Sequence, residues 1–139
     1  RSNRRYGFLS LCNFNDDVRE VVLNLKIPGM NKSITIPQDG KILLPNRTAY
    51  ILPLNVPLAK RIKIRYSTAE ILKVNCTEKE LKLVFHGGVD GACEMLIEIK
   101  KPRGVNIDGA ETCFKHKDGL LKLSFALTGK KQNLVIDMG

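Results

Sequence analysis

The sequence predicts an all-β fold, an antiparallel β-sandwich of jelly-roll-like form with two packed sheets, and three observations carry that prediction. Apolar residues recur with a period of two in short segments. Clusters of Gly, Pro, Asn and Asp separate those segments. No segment carries the apolar periodicity of a helix. The 139 residues fit one domain spanning 1–139, since domains typically hold roughly 100–200 residues and one of this size can bury a continuous core. Hydrophobic residues at 43% and charged residues at 27% match a folded globular chain and argue against disorder.

In chain order, the first expected strand runs from Arg5 to Cys12 and ends in the turn-rich Asn13-Phe14-Asn15-Asp16-Asp17. The next is its expected hairpin partner, where Val21, Leu23, Leu25 and Ile27 share one face before Pro28-Gly29 stops the strand. Segments Ser33 to Ile36, Ile42 to Leu44 and Thr48 to Leu54 follow, and Pro53 and Pro57 imply an edge or a crossing. Three strong strands come in succession at Arg61 to Tyr66, Glu70 to Cys76 and Leu81 to His86. Ile62, Ile64, Tyr66, Leu81, Leu83 and Phe85 are expected inward, at the centre of the core.

After the glycine-rich loop around Gly87, Gly88 and Gly91, the residues Cys93, Met95, Ile97 and Ile99 face one side and Glu94, Glu98 and Lys100 the other. Strands at Thr112 to Lys117, Leu121 to Leu127 and Asn133 to Asp137 complete the chain. Asp118-Gly119 is the best hairpin signal, because both residues tolerate positive φ. The total is roughly ten to twelve short strands, enough for two packed sheets.

The net charge of +9 raises the question of an acidic partner such as nucleic acid. The cations alternate singly along strands, as in Arg61-Ile62-Lys63-Ile64-Arg65, which is the pattern of a solvated strand face and argues against a phosphate groove. Cys12, Cys76, Cys93 and Cys113 form no Cys-x-x-Cys pair, so no zinc or redox motif is present. Free buried thiols are the favoured reading and lean to a reducing, cytoplasmic compartment, although four cysteines could also pair in three ways. No apolar run approaches the roughly 20 residues of a membrane helix. The start at Arg1, without Met, suggests a processed or excised chain. Asn31, Asn46 and Asn75 head Asn-x-Ser/Thr sequons, which matter only in a eukaryotic secretory chain.

Local chemistry is sparse. His86 and His116 have no neighbouring carboxylate or further ligand at metal spacing. No Gly-x-Ser-x-Gly elbow or phosphate loop occurs, so no cofactor is read. Glu94 and Glu98 share a strand face about 13 Å apart by strand rise, beyond the roughly 5–9.5 Å that paired glycosidase carboxylates use. Alternation on a solvated face accounts for them. Sugar-binding modules rest on exposed aromatic rings, and this chain has no Trp. Tyr50 and Tyr6 are the candidate carbohydrate platforms, with a core or rim role the competing reading for each. The same shortage of rings argues against single-stranded nucleic acid.

Tyr66-Ser67-Thr68-Ala69-Glu70-Ile71-Leu72 resembles a segment that lies just after the catalytic barrel in the β-galactosidases of glycoside hydrolase family 35. Gly7-Phe8-Leu9-Ser10-Leu11-Cys12-Asn13, Ile34-Thr35-Ile36-Pro37, Ile51-Leu52-Pro53-Leu54-Asn55-Val56 and Leu83-Val84-Phe85-His86-Gly87-Gly88 follow the order of the same region. The resemblance covers about Tyr6 to Lys100. After His86 the family often has a Gly-Glu pair and a second acid, whereas here only Glu94 matches an acid. The resemblance implies a β-sandwich accessory domain whose partner is the catalytic barrel of a parent enzyme. The catalytic glutamates would lie on that barrel, so no catalytic residue is expected here and the chain alone is not expected to be an enzyme. A barrel needs roughly 200 residues or more and alternating strands and helices. A carbohydrate-binding module and a basic nucleic-acid-binding β domain are the alternative readings.

Overall fold

The computed structural model describes residues 7–26, 33–44, 46–87 and 91–139. Among these residues the alternation resolves into fifteen strands and no helix. One sheet has six strands, in the spatial order β1 (Gly7–Asn13), β6 (Thr48–Ala59), β7 (Ile62–Ser67), β10 (Ala92–Glu98), β14 (Leu120–Ala126) and β13 (Lys115–Lys117). The second sheet has five, in the order β12 (Ala110–Glu111), β11 (Gly104–Ile107), β15 (Gln132–Asp137), β9 (Glu80–His86) and β8 (Glu70–Cys76). Two ribbons complete the architecture, β2 (Arg19–Val21) with β5 (Ile42–Leu44) and β3 (Leu23–Leu25) with β4 (Ile34–Ile36).

The main core is built by both sheets. Leu81, Leu83 and Phe85 of β9 and Leu134 and Ile136 of β15 pack with Cys93, Met95 and Ile97 of β10 and Leu121 and Leu123 of β14. Each is 1% exposed or less, and burying one such side chain contributes about 1.5–3 kcal/mol. A second cluster contains Tyr50 and Leu52 of β6, Tyr66 of β7 and, from the ribbons, Ile36, Ile42 and Leu44. Leu96 packs with this cluster, whereas Met95 and Ile97 on either side of it belong to the main core. Alternation along β10 therefore places the two clusters on opposite faces of the six-stranded sheet.

The face changes within β7, which corrects the expectation that Ile62, Ile64 and Tyr66 point the same way. Ile64 and Tyr66 pair with Ile97 and Leu96, two consecutive residues of β10. Arg65 is thus an extra residue in the ladder, and such a bulge inverts the alternation. Ile62 and Ile64 enter the main core and Tyr66 the second cluster. Beside it in β6, Asn55 takes φ 53°. Leu54 packs with the second cluster and Leu58 with the main core.

Other expectations shift as well. The partner of β1 is β6, with Leu9 opposite Leu52, and the expected strand from Val21 divides into β2 and β3 in separate ribbons. Ile27, Pro28 and Gly29 lie outside the described residues, as do Arg5, Gly88 and Asp90. β6 is an inner strand despite its prolines. Pro53 sits just beyond the last β6–β7 pair, Leu54 with Tyr66, and Pro57 at a register shift, two places where a missing donor is tolerated. β11 was not expected, and its Val105 is 1% exposed. Both predicted turn residues, Asp118 at φ 53° and Gly119 at φ 78°, have positive φ, the signature of a type I′ hairpin.

Candidate functional site

The most concentrated polar arrangement centres on Glu94. This residue sits between Cys93 and Met95, which face the main core, so its side chain emerges on the opposite face, beneath the turn at residues 37–40. It is 4% exposed, which corrects the expectation of a solvated face. The backbone N–H of Gln38 donates to Oε2 at 2.6 Å and that of Asp39 to Oε1 at 3.2 Å. The Tyr66 hydroxyl donates to Oε2 in a short hydrogen bond. Lys122 Nζ lies 3.7 Å from Oε1 and 2.6 Å from Asp39 Oδ2. Thr68 fixes the backbone below, its N–H donating to the Glu94 carbonyl at 3.0 Å and its hydroxyl accepting from the Glu94 N–H at 2.9 Å.

The electrostatics follow from this geometry. Burial, then the hydrogen bond to the Glu94 carboxylate, pushes the Tyr66 hydroxyl far above its ordinary range. The hydrogen bond from Lys122 holds the Asp39 carboxyl below its usual value, and the same contact raises the Lys122 ammonium. A carboxylate offers about four lone-pair sites, and those of Glu94 face four donors. The arrangement is a clasp that fastens the turn between β4 and β5 to the six-stranded sheet.

The remaining sequence-predicted groups are dispersed. Glu98 lies 3.5 Å from Arg65 Nε and is half-exposed. His86 Nε2 is 3.2 Å from the Gly129 carbonyl and His116 Nε2 is 2.8 Å from the Ile99 carbonyl. All four cysteines are free. Cys93 is buried, whereas Cys12 and Cys113 are exposed and Cys76 is intermediate, so the expectation of buried thiols holds for Cys93. Tyr50 is 3% exposed and packs in the second cluster. It presents no open ring face, and burial followed by the nearby Glu70 raises its hydroxyl. Tyr6 lies outside the described residues. Of the sequons, Asn46 and Asn75 are exposed and Asn31 lies outside the described residues. Among the described residues no group of three or more His, Cys, Asp or Glu could hold a metal ion.

The family model described as β-galactosidase, domain 2, matches residues 15–139. The chain belongs to this family. The β-galactosidase domain 2 match extends through residues 101–139, where the sequence motifs carried no resemblance, and it begins after the Gly-Phe-Leu segment of β1. None of the curated proteins matches the chain. In this member of the domain 2 family, Glu94 is the acid that follows the loop after His86, and its partners are drawn from residues 38, 39, 66 and 122. No local motif announces that convergence. The available signal was positional, a carboxylate set between residues that all enter a core.

Proposed function

We propose that the chain is a non-catalytic accessory domain of a β-galactosidase, supporting a separate catalytic barrel. The observation that carries this reading is the match to β-galactosidase domain 2 over residues 15–139. The residues are in accord. Retaining and inverting glycosidases place two carboxyl groups across the scissile bond, one as acid and one as nucleophile or base. Glu94 is the one buried acid among the described residues, and its oxygens are engaged by Tyr66, the 38–39 backbone and Lys122. A group so occupied anchors a turn. A domain held rigid in this way can buttress a barrel and shape the approach to its cleft.

The reading is tested by offering the purified chain a chromogenic galactoside. No release above a boiled control is expected, and turnover that disappears on substitution of one of its carboxylates would overturn the non-catalytic assignment. Co-expression with the barrel of the parent enzyme should yield a stable complex. A barrel of equal activity and stability without this domain would remove the supporting role.

A further inference from the structure

At the end of the sandwich formed by the β6–β7 hairpin and the β8–β9 turn lies a cavity of about 540 Å³. Its size falls in the range of small-molecule sites, about 300–1,000 Å³. Ile62, Ile99 and Met138, all buried, form an apolar lining, with Cys76 beside them. The charged lining residues are Lys60, Arg61 and Lys100 against the single acid Glu78, three positive and one negative. None of the three cations takes part in any of the ion pairs among the described residues, which use Lys41, Arg47, Arg65, Lys82 and Lys122. Arg61 also occupies the left-handed region, with φ 65°, where Gly or Asn would sit with less strain. Arg61 is the second residue of the two-residue β6–β7 turn, between the paired Ala59 and Ile62, and this turn sets the cation at the rim of the cavity.

We propose that this cavity binds an amphiphilic anion, a carboxylate or sulfonate on an apolar body, with the body against Ile62, Ile99 and Met138 and the charge met by Lys60, Arg61 and Lys100. The apolar lining supplies affinity for the body, and the excess positive charge selects the sign of the head group. Neither the clasp at Glu94 nor the accessory role is needed for this site.

The test titrates the chain with anilinonaphthalene sulfonate and, separately, with the uncharged phenylnaphthylamine, following amide resonances by two-dimensional NMR. The anion should bind saturably, with shifts confined to Lys60, Arg61, Ile62, Thr77, Lys100 and Met138, and added salt should weaken it. Arg61→Gly suits the left-handed backbone, so the variant should fold as well as the parent while losing roughly tenfold in affinity for the anion. Lys100→Gln, at a second position, should weaken the anion and leave the neutral compound unchanged. Equal affinity for the two compounds would overturn the proposal. So would shifts centred elsewhere, or unaltered anion binding in either variant.

Discussion

Replacing Glu94 by Gln tests the clasp with the least change of shape. In the native chain Oε2 accepts from the Tyr66 hydroxyl and the Gln38 N–H, while Oε1 accepts from the Asp39 N–H and faces Lys122. An amide keeps one acceptor and turns the other oxygen into an NH₂ donor. In either orientation that NH₂ confronts donors, and the charge that strengthened all the contacts is gone. Breaking a buried charged arrangement by removing one partner costs about 3–5 kcal/mol. Against a total stability of about 5–15 kcal/mol, that loss is severe. At about 4 °C per kcal/mol for a domain of this size, the melting temperature should fall by about 12–20 °C. Tyr66→Phe removes one hydrogen bond to a charged acceptor and should cost about 1.5–3 kcal/mol. Urea unfolding followed by far-ultraviolet circular dichroism reads both, as a lower midpoint at unchanged slope. If Glu94→Gln unfolds within about 1 kcal/mol of the parent, the carboxylate is not holding the turn and the clasp is wrong.

Thiol accessibility gives a second check. Burial pushes the Cys93 thiol up to about 12, so in native chain at mildly alkaline pH Cys12 and Cys113 should react with Ellman's reagent and Cys93 only on unfolding. The pH dependence has two limbs. Asp39 is lowered, so its contribution is present above the ordinary carboxylate range and lost as pH falls through its folded value. Tyr66 and Lys122 are raised, so theirs are present below their ordinary values and lost as pH rises through the folded ones. Asp39→Asn should flatten the acid limb of a melting-temperature profile, and an unchanged profile would contradict the pairing with Lys122. At Gly87 an added Cβ would lie 2.4 Å from Leu127 Cδ1 and 3.2 Å from its Cγ. Gly87→Ala should therefore cost about 1–3 kcal/mol by overpacking, and a double-mutant cycle with Leu127→Ala should show that the two substitutions are coupled.

Much of the fold was legible because alternation is a local signal. Leu81, Leu83 and Phe85, and likewise Cys93, Met95 and Ile97, occupy the core positions that their spacing implies. Two kinds of feature escaped. Pairing choices such as β1 with β6 are set by contacts distant in sequence, so neighbouring strands made a plausible but incorrect hairpin. Bulges and left-handed residues break the period without a compositional mark, and Arg65 and Asn55 look like ordinary strand residues. β11 was missed although its own signal was present, since Val105-Asn106-Ile107 alternates and Asp108-Gly109 closes it with two positive φ values. Glu94 and Glu98 looked equivalent by spacing. What separates them is cover, because only Glu94 lies beneath the turn contributed by residues 38 and 39.

The change of face at Arg65 makes β7 a wall shared by two rooms. A strand that alternates strictly sends residues two apart to the same interior, as Met95 and Ile97 of β10 do. By shifting phase once, this strand commits Ile62 and Ile64 to one interior and Tyr66 to the other. The small cluster beneath the ribbons, too slight to stand by itself, is thereby tied to the large one through a single backbone. The two should melt together as one transition. Deleting Arg65 would make Ile64 and Tyr66 consecutive, as their β10 partners Ile97 and Leu96 already are, so both interiors would stay filled. Removing the bulge while keeping Arg65 in the ladder would instead turn Tyr66 away from the second cluster.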